Sequence, residues 1–245
     1  MKLSVVIPAY KRHPLTARHV AECLKSSRPP DEIIAVNDGG DTGLKEMLQA
    51  LSWDRTKTKV IYAEVEEDIP WNFNGASNLG VWLSTGDILA LEDTDHFPDR
   101  NLYRDALDYF ESHPEIGRLG VKRKVLEIQQ LDKPMEEWTW GKTWGSNQMT
   151  TIFRRDVYLT LKGQDERFAG HYGWMPYCWK ARYTRAGVKT ATVSSYWAVI
   201  GDQGEPGMIR GLSTVNRRIY RENAMMTKLH SKHGILNFQF NYSVL

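Results

Sequence analysis

From residue 3 to residue 112, short β-branched runs alternate with helix-like segments, and no other feature of the sequence limits the fold so strongly. Leu3-Ser4-Val5-Val6-Ile7 is almost wholly apolar and stops at Pro8, as expected of a strand covered on both faces. A helix is expected over Leu15 to Ser26, with Leu15, His19, Cys23 and Leu24 on one side, ending ahead of Pro29-Pro30. Glu32-Ile33-Ile34-Ala35-Val36 reads as the second strand, closed by Asn37-Asp38-Gly39-Gly40. A helix over Gly43 to Leu51 and a strand over Lys59 to Tyr62 follow. The series continues with a helix over Gly75 to Ser84, a strand over Ile88 to Leu91 and a helix over Leu102 to Ser112. Strands and helices alternating at this spacing form right-handed crossovers, which predicts an α/β fold with a mostly parallel sheet flanked by helices.

Beyond about residue 115 the regularity lapses. Gly120-Val121 and a tryptophan-rich stretch from Trp138 to Trp144 come first, then a strand near Met149 to Phe153 and a helix from Asp156 to Leu161. A helix near Tyr177 to Ala186, a strand from Thr190 to Tyr196 and a closing helix over Thr214 to His230 complete the reading. No internal repeat or low-complexity tract interrupts it. Residues 1–117 thus form the ligand-binding α/β half, and residues 118–245 a lobe packed on the same sheet, a size one domain can hold. Charge divides at the same place. Residues 1–117 carry 12 Lys/Arg against 20 Asp/Glu, a net −8, and residues 118–245 carry 20 against 10, a net +10. An acidic first half suits a metal ion; a basic second half suits either an anionic partner or an ordinary solvated surface. No apolar run approaches the roughly 20 residues that span a bilayer. Met1 to Pro8 lacks the length and cleavage site of a signal peptide. Cys23 and Cys178 make no disulfide or metal pattern, so a reducing, cytoplasmic location is expected.

The strongest chemical feature is Glu92-Asp93-Thr94-Asp95-His96, directly after the strand 88–91. Ligands of parallel α/β sheets bind at the carboxyl ends of strands, so these acids are expected in the crevice. Carboxylates spaced Asp-x-Asp on a tight turn suit a hard divalent cation, Mn²⁺ or Mg²⁺, that also binds phosphate oxygens. Asp38, at the end of the second strand, either accepts a hydrogen bond from a nucleobase N–H or serves only its turn. Pro8-Ala9-Tyr10-Lys11-Arg12 closes the first strand, where Pro8, Ala9 and Tyr10 could line a nucleotide and Arg12 could meet phosphate.

Five ordered segments resemble glycosyltransferase family 2 and its relatives of GT-A, Rossmann-like fold. They are Leu3 to Tyr10, Ile33 to Gly39, Asn74-Gly75-Ala76-Ser77-Asn78-Leu79-Gly80, Thr85 to Asp95, and Arg154 to Phe168 with its Asp165-Glu166-Arg167-Phe168 string. The resemblance implies a hexosyltransferase that uses a nucleotide-sugar donor, most simply a UDP-sugar, and Mn²⁺ or Mg²⁺. It implies that Asp38 holds the base, that Asp93 serves the ribose or the metal, that Asp95 binds the metal, and that Asn78, Thr94 and the Gly75 segment line the donor pocket. His96 is then either a further metal ligand or a pocket wall.

This sequence also departs from that pattern. Asn37 stands where the family has an acid, and its arginine near Ser77 is absent. The acidic pair that supplies a general base after Phe168 is replaced by Gly170-His171-Tyr172-Gly173-Trp174. Either Asp165, Glu166 or His171 deprotonates the acceptor, or the reaction retains configuration and needs no dedicated base. Some GT-A enzymes take a third metal ligand from a C-terminal histidine, a role open to His230 or His233. The aromatic residues, with Trp138, Trp140 and Trp144 hard to bury together, and the basic second half allow two acceptors: a glycan or small molecule, or a hydroxymethylated base in DNA. Nucleotidyl transfer is a rival activity, although Pro8 to Arg12 lacks the glycine-rich phosphate loop it commonly uses; an inactive nucleotide-sugar-binding protein is another.

Overall fold

The computed structural model describes residues 1–39, 43–200, 213–225 and 238–245. The first apolar run is β1 (Leu3–Ala9), which lies between β2 (Glu32–Asn37) and β4 (Ile88–Leu91) and is parallel to both; β3 (Lys59–Val65) extends the parallel set beyond β2. These strands read as continuous apolar runs because both of their faces are covered. Leu3, Val5, Ile7 and Ala9 face a core shared with α1 (His13–Leu24), α2 (Gly43–Gln49) and α4 (Leu102–Ser112). Val6, Ile34, Val36, Leu89 and Leu91 face the opposite core. That core holds α3 (Phe73–Leu83), α5 (Arg155–Thr160) and α6 (Met175–Arg185).

The second half continues the same sheet with a change of direction. β8 (Thr151–Arg154) pairs antiparallel with β4, and β6 (Arg118–Leu126) antiparallel with β8. β9 (Thr190–Ile200) runs parallel to β6, and the three-residue β5 (His96–Pro98) closes that edge against β9. β7 (Thr143–Trp144) adds to β6, while β10 (Phe240–Val244) caps the other edge antiparallel to β3. The expected parallel character therefore holds across β3-β2-β1-β4 and again between β6 and β9, and the whole sheet is mixed. α7 (Thr214–Met225) packs against α6. His230 and His233 lie outside the described residues, as does the end of the helix expected to reach His230.

The tryptophan cluster divides. Trp138 is buried in a satellite core with Phe97, Leu126 and Met135, Trp140 is partly covered by Tyr196 at 5.1 Å between ring centres, and Trp144 stays exposed. Because β1 to β4 run parallel, their carboxyl ends gather Pro8 to Arg12, Asn37-Asp38, the residues after Val65, and the Asp93–Asp95 turn at one end of the sheet. No helix among the described residues is long and apolar enough to cross a membrane.

Candidate active site

Successive residues of an extended strand point to opposite sides, and this divides the acids at the end of β4. Glu92 turns inward: its carboxylate accepts from His19 Nε2 at 2.6 Å and from Tyr103 Oη at 2.8 Å, fully buried between α1 and α4. The expectation that the whole acidic run faces the crevice is corrected there, since Glu92 braces the turn from behind. Asp93 and Asp95 point the other way and stay partly exposed. His96 Nδ1 donates to Asp95 Oδ1 at 2.7 Å and lies 3.8 Å from Asp93 Oδ2. Thr150 Oγ1 donates to Asp93 at 2.9 Å, and Arg12 Nη1 stands 3.9 Å from Asp95 Oδ2.

The electrostatics of the two carboxyls differ. Burial above all pushes the Asp93 carboxyl up, opposed by the charge of His96 and reinforced by that of Asp95. Burial acts on Asp95 as well, but the hydrogen bond from His96 and the charges of His96 and Arg12 outweigh it, and its carboxyl falls below the ordinary range. One donor atom each from Asp93, Asp95 and His96 lies within 4.8 Å of the others, a spacing and donor set that fit a divalent cation. Thr94, between the two acids, is buried.

The second wall is built from the ends of β1 and β2. Asp38 N donates to Ala9 O at 2.7 Å, which brings Asp38 alongside Pro8-Ala9-Tyr10 as the sequence implied. Gly39 adopts φ +92, and a Cβ there would stand 2.7 Å from Asp68 Cα, so only glycine lets the loop after β3 close over Asp38. From that loop Asn72 Nδ2 donates to Asp38 Oδ1 at 2.8 Å. Burial, resisted by the Asn72 hydrogen bond, raises the Asp38 carboxyl to about 8. Lys11, left-handed at φ 54, pairs with Asp68 at 3.3 Å on the exposed side of the same wall.

Other residues singled out from the sequence are placed elsewhere. The Asn78 amide is tied into the fold: Nδ2 donates to Gln164 O and Glu166 Oε1, and Oδ1 accepts from Tyr158 Oη and Gln164 N. Asp165 accepts from Arg167 through N, Nε and Nη2, the last at 2.7 Å. Asn78, Asp165 and Glu166 thus brace α3 against the 163–168 turn rather than joining the Asp93–Asp95 group. His171 has an exposed side chain, and its backbone carbonyl is held by Asn216 Nδ2 at 2.7 Å. Asn216 also donates to Gly173 O, and Gly170 N donates to Pro70 O, so this loop is pinned beside the one that carries Asn72.

Three residues at the site escaped the sequence reading. Arg123, on β6, is partly buried, which lowers its guanidinium, and the charges of Asp93 and Asp95 oppose that lowering. Thr150 and Asn72 were likewise missed. Asn72 alone carried a local signal, as a capping-type residue directly ahead of a helix at the carboxyl end of a strand.

A parallel β3-β2-β1-β4 core with an Asp-x-Asp turn at the end of β4 and a buried acid at the end of β2 is the arrangement of a GT-A glycosyltransferase. The chain matches the family model "Glycosyl transferase family 2" over residues 4–170 and belongs to that family. S. aureus TarS 1-349 in complex with UDP-GlcNAc has the same fold, with a TM-score of 0.63 and 14% identity over 84% of this chain and 60% of that one. The mannosyltransferase PcManGT from Pyrobaculum calidifontis, in complex with GDP-Man and Mn²⁺, gives a TM-score of 0.57 and 16% identity over 84% and 58%. An uncharacterized glycosyltransferase of Rickettsia bellii (strain RML369-C) is 27% identical over 132 residues. The match takes in 51% of this chain but only 18% of the Rickettsia protein, and about three fifths of TarS 1-349.

Proposed function

We propose that this chain transfers a sugar from a nucleoside-diphosphate sugar, a UDP-sugar, to a hydroxyl of a glycan or small-molecule acceptor with Mn²⁺ or Mg²⁺ bound. The observation that carries this reading is the pair Asp93 and Asp95 at the end of β4, joined by His96 and approached by Arg12. Asp93 and Asp95 would hold the metal, with His96 fixing their orientation. When bound, a divalent cation there supplies Lewis-acid stabilisation of the departing diphosphate. Arg12 and Arg123 stand where they can add positive charge to the same phosphates, and preorganised charge of this kind supplies a large share of catalysis. Pro8, Ala9, Tyr10 and Asp38 would receive the nucleoside. Residues 118–245 would form the acceptor side, and of the three candidate bases only His171 presents a solvent-facing side chain to take the acceptor proton.

Family membership favours sugar transfer over nucleotidyl transfer. The DNA acceptor loses three of its cations to bonds inside the fold, while Lys122, Lys142, Lys180, Arg185, Arg217 and Arg218 stay exposed. Arg154 donates to Ile116 O and Phe110 O, Arg118 is buried against Tyr183, and Arg182 is buried with its guanidinium on Gly163 O. Incubation with a panel of UDP- and GDP-sugars, read by mass spectrometry of released nucleotide with Mn²⁺ and with chelator, tests the reading. Metal-dependent release supports it; nucleotide-sugar binding without release of nucleotide under any condition would identify an inactive binding protein.

A further inference from the structure

Between the end of β4, α1 and α4, the fully buried space is filled by polar side chains: His19, Cys23, Glu92 and Tyr103. Apolar residues would fill it without the cost of burying a carboxylate. Resting on the reading that Asp93 and Asp95 hold the metal, we propose that His19 is a positioning residue. Acting through Glu92 and Phe97, it keeps both acids turned toward the cation.

The turn that carries the two acids runs from Asp93 to His96 and is closed by His96 N donating to Asp93 O at 3.0 Å. Glu92 and Phe97 lie immediately outside it, one on each side, and both are fully buried. His19 touches both. Its Nε2 is bonded to Glu92 Oε2 at 2.6 Å, and its ring packs on that of Phe97 with centres 5.4 Å apart. Tyr103 Oη donates to the other Glu92 oxygen at 2.8 Å, so α1 and α4 hold one oxygen each. Cys23, one helical turn after His19, joins them with Sγ 3.1 Å from Tyr103 Oη.

Register is what these contacts decide. Glu92 and Asp93 are adjacent, and a slip of one residue along β4 would turn Asp93 inward in place of Glu92. The donors on α1 and α4 stand at the reach of a glutamate, and an aspartate there is one methylene short. Glu92 locked inward leaves Asp93 facing out, and Phe97 fixed on the same imidazole holds the far side of the turn. Stability does not account for the network. His19 Nδ1 is buried with no partner among the described residues, and a buried polar group left so costs free energy.

Titration of Mn²⁺ at saturating UDP, read by the electron paramagnetic resonance of the free ion, tests this beside thermal melting. One variant is His19→Gln. The other replaces the network with apolar groups, His19→Leu with Glu92→Met and Tyr103→Phe, and should fold because no buried charge is left unpaired. Both should weaken Mn²⁺ binding by about tenfold or more, the scale on which groups behind metal ligands act. Leu107→Ala, an apolar truncation in the same core, should lower the melting temperature and keep wild-type Mn²⁺ affinity. Wild-type affinity in either network variant, or an equal loss of affinity in Leu107→Ala, overturns the proposal. Mn²⁺ binding undisturbed in Asp95→Ala overturns the metal reading beneath it.

Discussion

Two pairs of acids, Asp93 with Asp95 and Asp165 with Glu166, look alike in the sequence, and the structure gives them opposite surroundings. Arg167 wraps Asp165 with its backbone N–H and two guanidinium nitrogens, and Asn78 donates to Glu166, both acids being buried. Asp93 and Asp95 stand closer to solvent and share one histidine, with the nearest arginine contact at 3.9 Å. Acids matched one by one to donors act as braces, whereas acids left short of positive charge can receive a cation. Asp38 makes a third case, a lone acid held by one amide and starved of solvent.

The sharpest way to break this comparison is to remove a carboxylate from the undermatched pair. Asp95→Ala should lower transfer by about 10³-fold or more while barely moving the melting temperature, as loss of a group stabilising transition-state charge does. It should also abolish the effect of Mn²⁺ on UDP-sugar binding in calorimetry, and Mn²⁺-dependent binding that survives in the variant would remove Asp95 from the metal site.

Asp38 gives the next largest effect, read in stability. Its carboxyl is raised to about 8 in the fold, against about 4 for an unfolded aspartate. Between those values the folded chain holds a proton that the unfolded chain has released. Stability attributable to this group is therefore intact below about pH 4 and falls as pH rises toward about 8. With one unit worth about 1.4 kcal/mol, the loss from about pH 5 to about pH 8 is on the order of 3 kcal/mol. Asp38→Asn cannot titrate there, so urea titrations should show a flatter stability profile; parallel profiles for the two proteins would refute the assignment.

His171→Gln should reduce kcat by about 10²-fold with little change in UDP-sugar affinity, the scale of a lost general base. An unchanged kcat points to a reaction without a dedicated base. Asp165→Asn should do the reverse. It breaks a pair whose arginine is about a quarter exposed, so roughly 1–2 kcal/mol of stability is at stake after allowance for screening. Activity below the melting transition should stay within about threefold of wild type. A collapse of kcat with no loss of stability would return Asp165 to catalysis.

The sequence displayed β1 to β4 clearly because strands covered on both faces leave unbroken apolar runs such as Leu3–Ile7. β10 was invisible: its partner β3 lies far away in sequence, and Asn241, Tyr242 and Val244 are exposed, so no burial pattern marks it. The three residues of β5 are defined by their pairing to β9 rather than by composition. Within the site, the Asp-x-Asp turn and the pairing of Asp38 with the end of β1 could be read because both belong to strand ends. The directions of side chains could not. Glu92 and Asp93 are neighbours in one acidic run, and only the packing of α1 and α4 shows that Glu92 faces inward. Arg118, Arg154 and Arg182 add to the charge of the basic half, but charge counts carry no information on which guanidiniums cap carbonyls inside the fold.

The two cores divided by the sheet each contain one cysteine outside any disulfide, Cys23 on the α1/α4 side and Cys178 on the α6 side, both buried. Cys23 contacts Tyr103 Oη at 3.1 Å, and burial pushes its thiol well above the ordinary value. Neither sulfur should meet an alkylating reagent until its own layer opens. Labelling rates at the two positions, separated by peptide mass, therefore act as independent clocks for the two faces of the sheet. With a nucleotide-sugar bound, the Cys23 clock would time the layer directly behind the Asp93–Asp95 turn.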